Sequence, residues 1–135
     1  MPAKYNNILI VEDEAVLLMM MNMMLQKSSF VDGQVHQALN GKQALEKLCA
    51  HHIDLIITDI NMPVMNGFEL MEQIQNHADF REIPLIAATS EFGDKLLNRL
   101  AFMGHGYLRK PFYFNDLETQ LSKQITQNND YYLYG

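Results

Sequence analysis

Tryptophan is absent from the 135 residues, cysteine occurs once, and no stretch concentrates lysine and arginine. The lone Cys49 excludes an internal disulfide framework and a Cys-based zinc site, and suits a reducing, cytoplasmic compartment. Ten basic against sixteen acidic residues leave a net charge of −6. Such a chain is poorly built to grip a phosphate backbone, so nucleic acid is not an expected partner. Long apolar runs are lacking too. The most hydrophobic segment, Ala15 to Leu25, is broken by Asn22 and falls far short of the ~20 residues that span a bilayer, which argues against a membrane role. Residues 1–7 show no basic run leading into an apolar stretch, so no export signal is read there. No linker, repeat or low-complexity tract divides the chain. A length close to the ~150 residues of a typical domain makes 1–135 one expected unit, with a core over about 6–127 and a tail over 128–135.

What is present is 48% hydrophobic residue, enough for a real core, and an alternation of strand and helix signals. Ile8 to Val11 is a short continuous apolar run, the pattern of a strand buried on both faces, and it ends abruptly in Glu12-Asp13-Glu14. A helix follows to about Lys27. Val31 to Ala38 reads as a second strand, with Asn40-Gly41 turning into a helix through about Ala50. Leu55 to Thr58 is a third strand, closed by Asp59, and Asn66 caps a helix carrying Phe68, Leu70, Met71 and Ile74. Pro84 to Ala88 is a fourth strand, Lys95 to Met103 a helix, Tyr107-Leu108 a fifth strand and Asn115 to Ile125 a last helix. Five such units predict an α/β fold, a doubly wound five-stranded parallel sheet with five helices on its two faces.

In a sheet of this kind ligands collect at the carboxyl ends of the strands. There stand Glu12 and Asp13, Asp59, Thr89 with Ser90, and Lys110 before Pro111. Three carboxylates on one rim repel one another unless a cation neutralises them. Oxygen-only ligands suit Mg2+, or Mn2+ in its place, with open positions left for a phosphate. A lysine suits a phosphoryl oxygen, a threonine hydroxyl can donate to another, and a carboxylate can itself be the nucleophile.

At these residues the chain resembles a family. Ile8 to Glu14, Asp54 to Pro63, Asn66-Gly67 and Gly106 to Pro111, in that order at the right strand ends, look like a response-regulator receiver domain over roughly residues 6 to 125. The resemblance implies a flavodoxin-like strand order, 2-1-3-4-5. It implies that Asp59 accepts a phosphoryl group from a phosphohistidine on a histidine kinase or histidine phosphotransfer protein. Glu12, Asp13, Asp59 and the Asn61 carbonyl would hold Mg2+, Lys110 would pair with the phosphate, and Thr89 and Tyr107 would move as the switch. Output would pass to a downstream protein through the surface of residues 93–127. Asn61 and Glu91, each two residues past a site residue, occupy positions that tune dephosphorylation in this family. The same pair occurs in the chemotaxis regulator, so a phosphoryl lifetime that is short to intermediate is expected. Glu12 stands where Asp is also common, Ser90 where alanine is frequent, and Met103-Gly104 where Gly-Ala is frequent.

Other function classes fit less well. A haloacid-dehalogenase-like phosphohydrolase needs an Asp two residues after its nucleophile, where this chain has Asn61; a flavodoxin-like electron carrier needs a phosphate loop after the first strand. An unphosphorylated pseudo-receiver is the remaining alternative, although no essential site residue is missing. Apart from self-phosphorylation and self-dephosphorylation, no enzyme activity is expected. His51-His52 read as a helix-end surface pair, His36, His77 and His105 show no ligand spacing, and Cys49 reads as a small buried hydrophobe. Arg109 should point away from its neighbour Lys110, and Tyr131 to Tyr134 read as a frayed end with some capacity to dock.

Six of the ten methionines fall in the first 24 residues. At about 100° per residue, Leu17, Met20, Met21, Met24 and Leu25 share the face expected to enter the core. Leu18, Met19, Asn22 and Met23 then face outward, where a surface helix should carry charges. Met side chains repack readily against apolar helices, so these four are read as a partner-docking face for the histidine-bearing bundle. A homodimer is the other occupant such a face would admit.

Overall fold

Ile8, Leu9, Ile10 and Val11 are all fully buried, which a strand achieves only with a layer on each side of its sheet. The computed structural model describes the backbone of residues 4–134 and the side chains of residues 4–125. Strand and helix alternate as β1 (Tyr5–Val11), α1 (Ala15–Lys27), β2 (Val31–Ala38), α2 (Gly41–Ala50), β3 (Leu55–Thr58), α3 (Gly67–Gln75), β4 (Leu85–Thr89), α4 (Asp94–Phe102), β5 (Gly106–Arg109) and α5 (Phe114–Tyr134). All pairings are parallel, in the order β2-β1-β3-β4-β5. The first strand lies inside the sheet and the second at its edge, so the chain winds both ways from β1 and opens a crevice at the switch of direction.

Alternate residues of the central strands feed two cores, as the two-residue period of a strand requires. Leu9, Val11, Ile56, Leu85 and Ala87 pack with Ala44, Leu48, Leu70, Ile74 and Leu100 of α2, α3 and α4. Ile8, Ile10, Leu55, Ile57, Ile86 and Ala88 pack with Leu18, Met21 and Leu25 of α1 and Leu117 and Leu121 of α5. The start of α3 is set by a capping box. The Asn66 side chain accepts from the Glu69 N–H at 2.9 Å, and Glu69 accepts from the Asn66 N–H at 3.1 Å.

Three expectations are corrected. In α1 the core stripe is Leu18, Met21 and Leu25, with Leu17 and Met24 only partly buried, while Met20 is exposed. The helix is thus turned by about 60° from the expected phase. Because it is apolar all round, its own pattern cannot select a face, and the strands and α5 beneath it do. Cys49 is exposed rather than buried, since the inner face of α2 is already taken by Gly41, Ala44 and Leu48 and Cys49 lies about 100° past Leu48. The last helix also differs, continuing to Tyr134 instead of ending near Ile125. No Gly or Pro interrupts it before Gly135. The side chains of Tyr131 to Tyr134 fall outside the described residues, and with them the expected docking of the aromatic tail. Among the described residues no helix is long and apolar enough to cross a membrane.

Candidate functional site

Register brings the chemistry together. Val11 pairs with Thr58, so the residues after β1 and β3 emerge side by side, and the Asp59 N–H donates to the Val11 carbonyl at 2.9 Å. Carboxylate oxygens of Glu12, Asp13 and Asp59 lie within 4.8 Å of one another. Glu12 and Asp59 are buried and Asp13 is exposed. Lys110, carried in beside β4 by β5, donates to Glu12 Oε1 at 2.5 Å and to Asp59 Oδ2 at 3.1 Å. Its own N–H donates to the Thr89 carbonyl at 2.9 Å. Arg109 turns away as expected, its guanidinium 4.0 Å above the Phe92 ring.

The other Asp59 oxygen accepts the Ile60 N–H at 2.7 Å and faces the Asn61 N–H at 3.4 Å. The Asp59 carboxylate is therefore oriented on both sides. Behind it Gly67 presses so close that a Cβ would fall 2.3 Å from the Asp59 carbonyl oxygen; only glycine fits there. Between Asp59 and α3 the loop makes a tight turn. The Met65 N–H donates to the Pro63 carbonyl at 2.7 Å, and Val64 between them has φ of 69°, a left-handed backbone that a β-branched residue rarely adopts.

On the opposite rim Thr89 is fully buried and its hydroxyl accepts the Glu91 N–H at 3.2 Å. Glu91 then links two elements. Its carboxylate accepts from Asn61 Nδ2 at 2.7 Å, and its carbonyl accepts the Tyr107 hydroxyl at 2.5 Å. Sequence reading placed Asn61 and Glu91 near the site but not in direct contact; the bond joins loops 30 residues apart and leaves no local signal. Val64 was also missed, although a β-branched residue between Pro63 and Asn66-Gly67 was a visible oddity.

Burial pushes the Glu12 carboxyl upward, against the opposing pull of Lys110. Burial alone would lower the Lys110 ammonium, but the hydrogen bond to Glu12 and the charge of Asp59 outweigh it and hold it above its ordinary value. Tyr107 is likewise raised, first by burial, with Arg109 opposing and Glu91 adding. One ammonium against three carboxylates leaves a negative excess that a hard divalent cation would neutralise, and the all-oxygen donor set fits Mg2+.

The match to the family model for the response regulator receiver domain spans residues 8–122. The chain belongs to that family. This receiver is 32% identical to chemotaxis protein CheY1 of Helicobacter pylori over 90% of its own length and 98% of that protein. It is 33% identical to the autoinducer 1 sensor kinase/phosphatase LuxN of Vibrio harveyi, again over 90% of this chain, but spans only 14% of that relative. It is also 33% identical to sensor histidine kinase TmoS of Ectopseudomonas mendocina over 88% of this chain, and spans 12% of that relative. Its fold superposes on the chemotaxis response regulator CheY4 of Vibrio cholerae with a TM-score of 0.78 and 29% identity, covering 88% of this chain and 98% of that one. The receiver domain of sensor histidine kinase PA1611 from Pseudomonas aeruginosa, solved with a magnesium ion coordinated in its active-site cleft, gives 0.77 at 27% identity, covering 90% and 98%. Receiver domains are signalling modules that work with histidine kinases or phosphotransfer proteins, and they bind Mg2+ at an acidic site.

Proposed function

We propose that the receiver is a phosphoacceptor switch in which Asp59 takes a phosphoryl group from a phosphohistidine on a histidine kinase or phosphotransfer protein. The carrying observation is the convergence of Glu12, Asp13 and Asp59 within 4.8 Å beside Lys110. An Asp59 oxygen attacks phosphorus, the P–N bond of the donor breaks, and the imidazole leaves with its electron pair. Glu12, Asp13, Asp59 and the Asn61 carbonyl would hold Mg2+, or Mn2+, which supplies positive charge to the transferring group. Lys110 supplies a second positive charge from the other side.

An acyl phosphate on Asp59 carries about −1.5 to −2, by analogy with other phosphorylated side chains, in place of the carboxylate's single charge, and the Thr89 hydroxyl is a movable donor for it. Its one hydrogen bond in the resting arrangement is accepted, not donated, so the hydroxyl hydrogen is free to turn toward a phosphoryl oxygen. Tyr107 follows because its hydroxyl is tied to Glu91. Asn61 and Glu91 stand over the mouth and set access for hydrolytic water. The 93–127 surface then presents the change to a protein target. The similarity to CheY1, a chemotaxis protein of which the chain covers 98%, supports output through protein contacts.

The donor would dock on α1. Met19 and Met23 are 57% and 54% exposed, and Asn22 is partly exposed beside them. Leu18 leaves this face for the core, and Val16 and Met20 join it. The deciding experiment is intact mass after incubation with Mg2+ and acetyl phosphate. A phosphoryl adduct on the parent that is absent from Asp59→Asn supports the switch; absence from both, with cold-trapped time points, favours an unphosphorylated pseudo-receiver.

A further inference from the structure

A second concave site opens between α3 and α4, about 300 Å3 in volume and lined by Phe68, Glu91, Phe92, Lys95, Leu96 and Arg99. No described residue of α5 lines it. Its walls combine two aromatic rings with two cations. The Arg99 guanidinium lies 3.8 Å above the Phe68 ring, and a guanidinium stacked on a ring still carries N–H donors for a planar acceptor. Lys95 stands one helical turn before Arg99, so the two like charges are neighbours on one face of α4.

Neither cation forms an ion pair among the described residues. Among the described residues the ion pairs are those of Lys110 with Glu12 and Asp59, and no carboxylate reaches Lys95 or Arg99. The one acid in the lining, Glu91, accepts a hydrogen bond from Asn61, and the lining holds two cations against that single carboxylate. A chain of net charge −6 therefore keeps a locally positive groove with an apolar floor. Phe92 is 67% exposed, with the Arg109 guanidinium over one face of its ring, so the ring is open to a partner on its remaining surface. The volume stands at the lower bound of ~300–1,000 Å3 for ligand pockets, room for a large side chain with its flanking peptide rather than for a nucleotide-sized cofactor.

We propose that the α3–α4 groove binds an acidic peptide segment of a partner protein. A large aromatic side chain of that segment enters between Phe68 and Phe92, and its flanking carboxylates meet Lys95 and Arg99. The chemistry is complementary on both counts: carboxylate for guanidinium and ammonium, apolar ring for apolar wall. Binding requires neither Asp59 nor a phosphoryl group.

The test is an amide NMR titration of the isotopically labelled chain with the acetylated, amidated peptide Asp-Glu-Phe-Asp-Glu. Controls replace its Phe by Ala or its acids by Lys. The expected result is saturable shifts at Phe68, Phe92, Leu96 and Arg99 with a Kd below about 1 mM. Affinity should fall about three- to tenfold for either peptide control and for Arg99→Met or Lys95→Met, and further with added salt. Asp59→Asn should bind as the parent does, which separates failure here from failure of the phosphoacceptor reading. No shift at millimolar peptide, equal binding by Lys95→Met and Arg99→Met, shifts centred on α1, or the same shifts from acetate alone would each overturn the proposal.

Discussion

Val64 offers a direct measure of strain held next to the candidate site. Its φ of 69° costs an L-residue roughly 1–2 kcal/mol, and β-branching makes the conformation rarer still. The side chain is 76% exposed, so its removal forfeits little burial. Val64→Asn keeps the unfolded chain nearly as constrained while tolerating the left-handed region, and should stabilise the fold by about 1 kcal/mol. Val64→Gly relieves the same strain but adds unfolded-state entropy of about 0.4–1 kcal/mol, so it should gain less. Val64→Ala still has a Cβ and should change stability by less than about 0.5 kcal/mol. Urea denaturation followed by far-ultraviolet circular dichroism resolves these differences, and the Asn variant should melt about 4 °C higher. A gain in Val64→Ala equal to that in Val64→Asn would refute the reasoning, because the cost would then lie in the exposed side chain and not in the backbone.

Three further outcomes follow from the geometry. Met19→Glu and Met23→Glu should each block transfer from a phosphohistidine partner while leaving labelling by acetyl phosphate intact, and Leu18→Glu, in the core, should instead unfold the chain; equal loss of both labelling reactions in the Met variants would make that face structural. Asn61→Ala and Glu91→Ala each remove one bond over the mouth and should shorten the phosphoryl lifetime by about two- to tenfold, with the double variant no worse than either; a parental lifetime of many hours, read by intact mass, would contradict the short-to-intermediate expectation. Burial lowers the His105 imidazole below its ordinary value, so its stabilising neutral form is fully present above the unfolded-state pKa near ~6.5 and is lost as pH falls. Urea midpoints should therefore drop from pH 7.5 to pH 5.5, less steeply in His105→Gln, and a slope unchanged by that substitution would refute the assignment. His36, lowered by burial and by neighbouring His51 and Lys47, leaves a residual slope in that variant.

The parts of the fold that were legible share one property: their signal is local. Ile8 to Val11 and Leu55 to Thr58 are apolar runs cut off by acids, so the strand ends, and with them Glu12, Asp13 and Asp59, could be placed on one rim. Asn66 and Glu69 stand at capping-box spacing, so α3 began where expected. What was illegible needed a second element to decide it. The rotation of α1 was invisible because an all-apolar helix carries no phase; Leu18 goes inward only because β1, β3 and α5 present the cavity that it fills. Cys49 looked like core until α2 was seen to spend its inner face on Ala44 and Leu48. The Asn61–Glu91 bond and the Arg99–Phe68 stack join residues about thirty positions apart, and spacing along the chain encodes neither.

The close approach of Gly67 has a mechanical meaning. Behind Asp59 the main chain meets a wall with no slack, since even a single added carbon would overlap it. In front, Gly93 has φ of 129° and no heavy atom within 4 Å of where a Cβ would stand. The Asp59 main chain thus abuts packed backbone at Gly67, while the loop that leads into α4 stands open at Gly93. Under the proposed phosphorylation of Asp59, the packed Gly67 contact leaves its main chain no room toward α3, so a rearrangement would have to run through Thr89 and Glu91 toward α4. A chemical event at Asp59 would thus meet packed backbone on one side and open space on the other, an asymmetry that would give it a direction of travel.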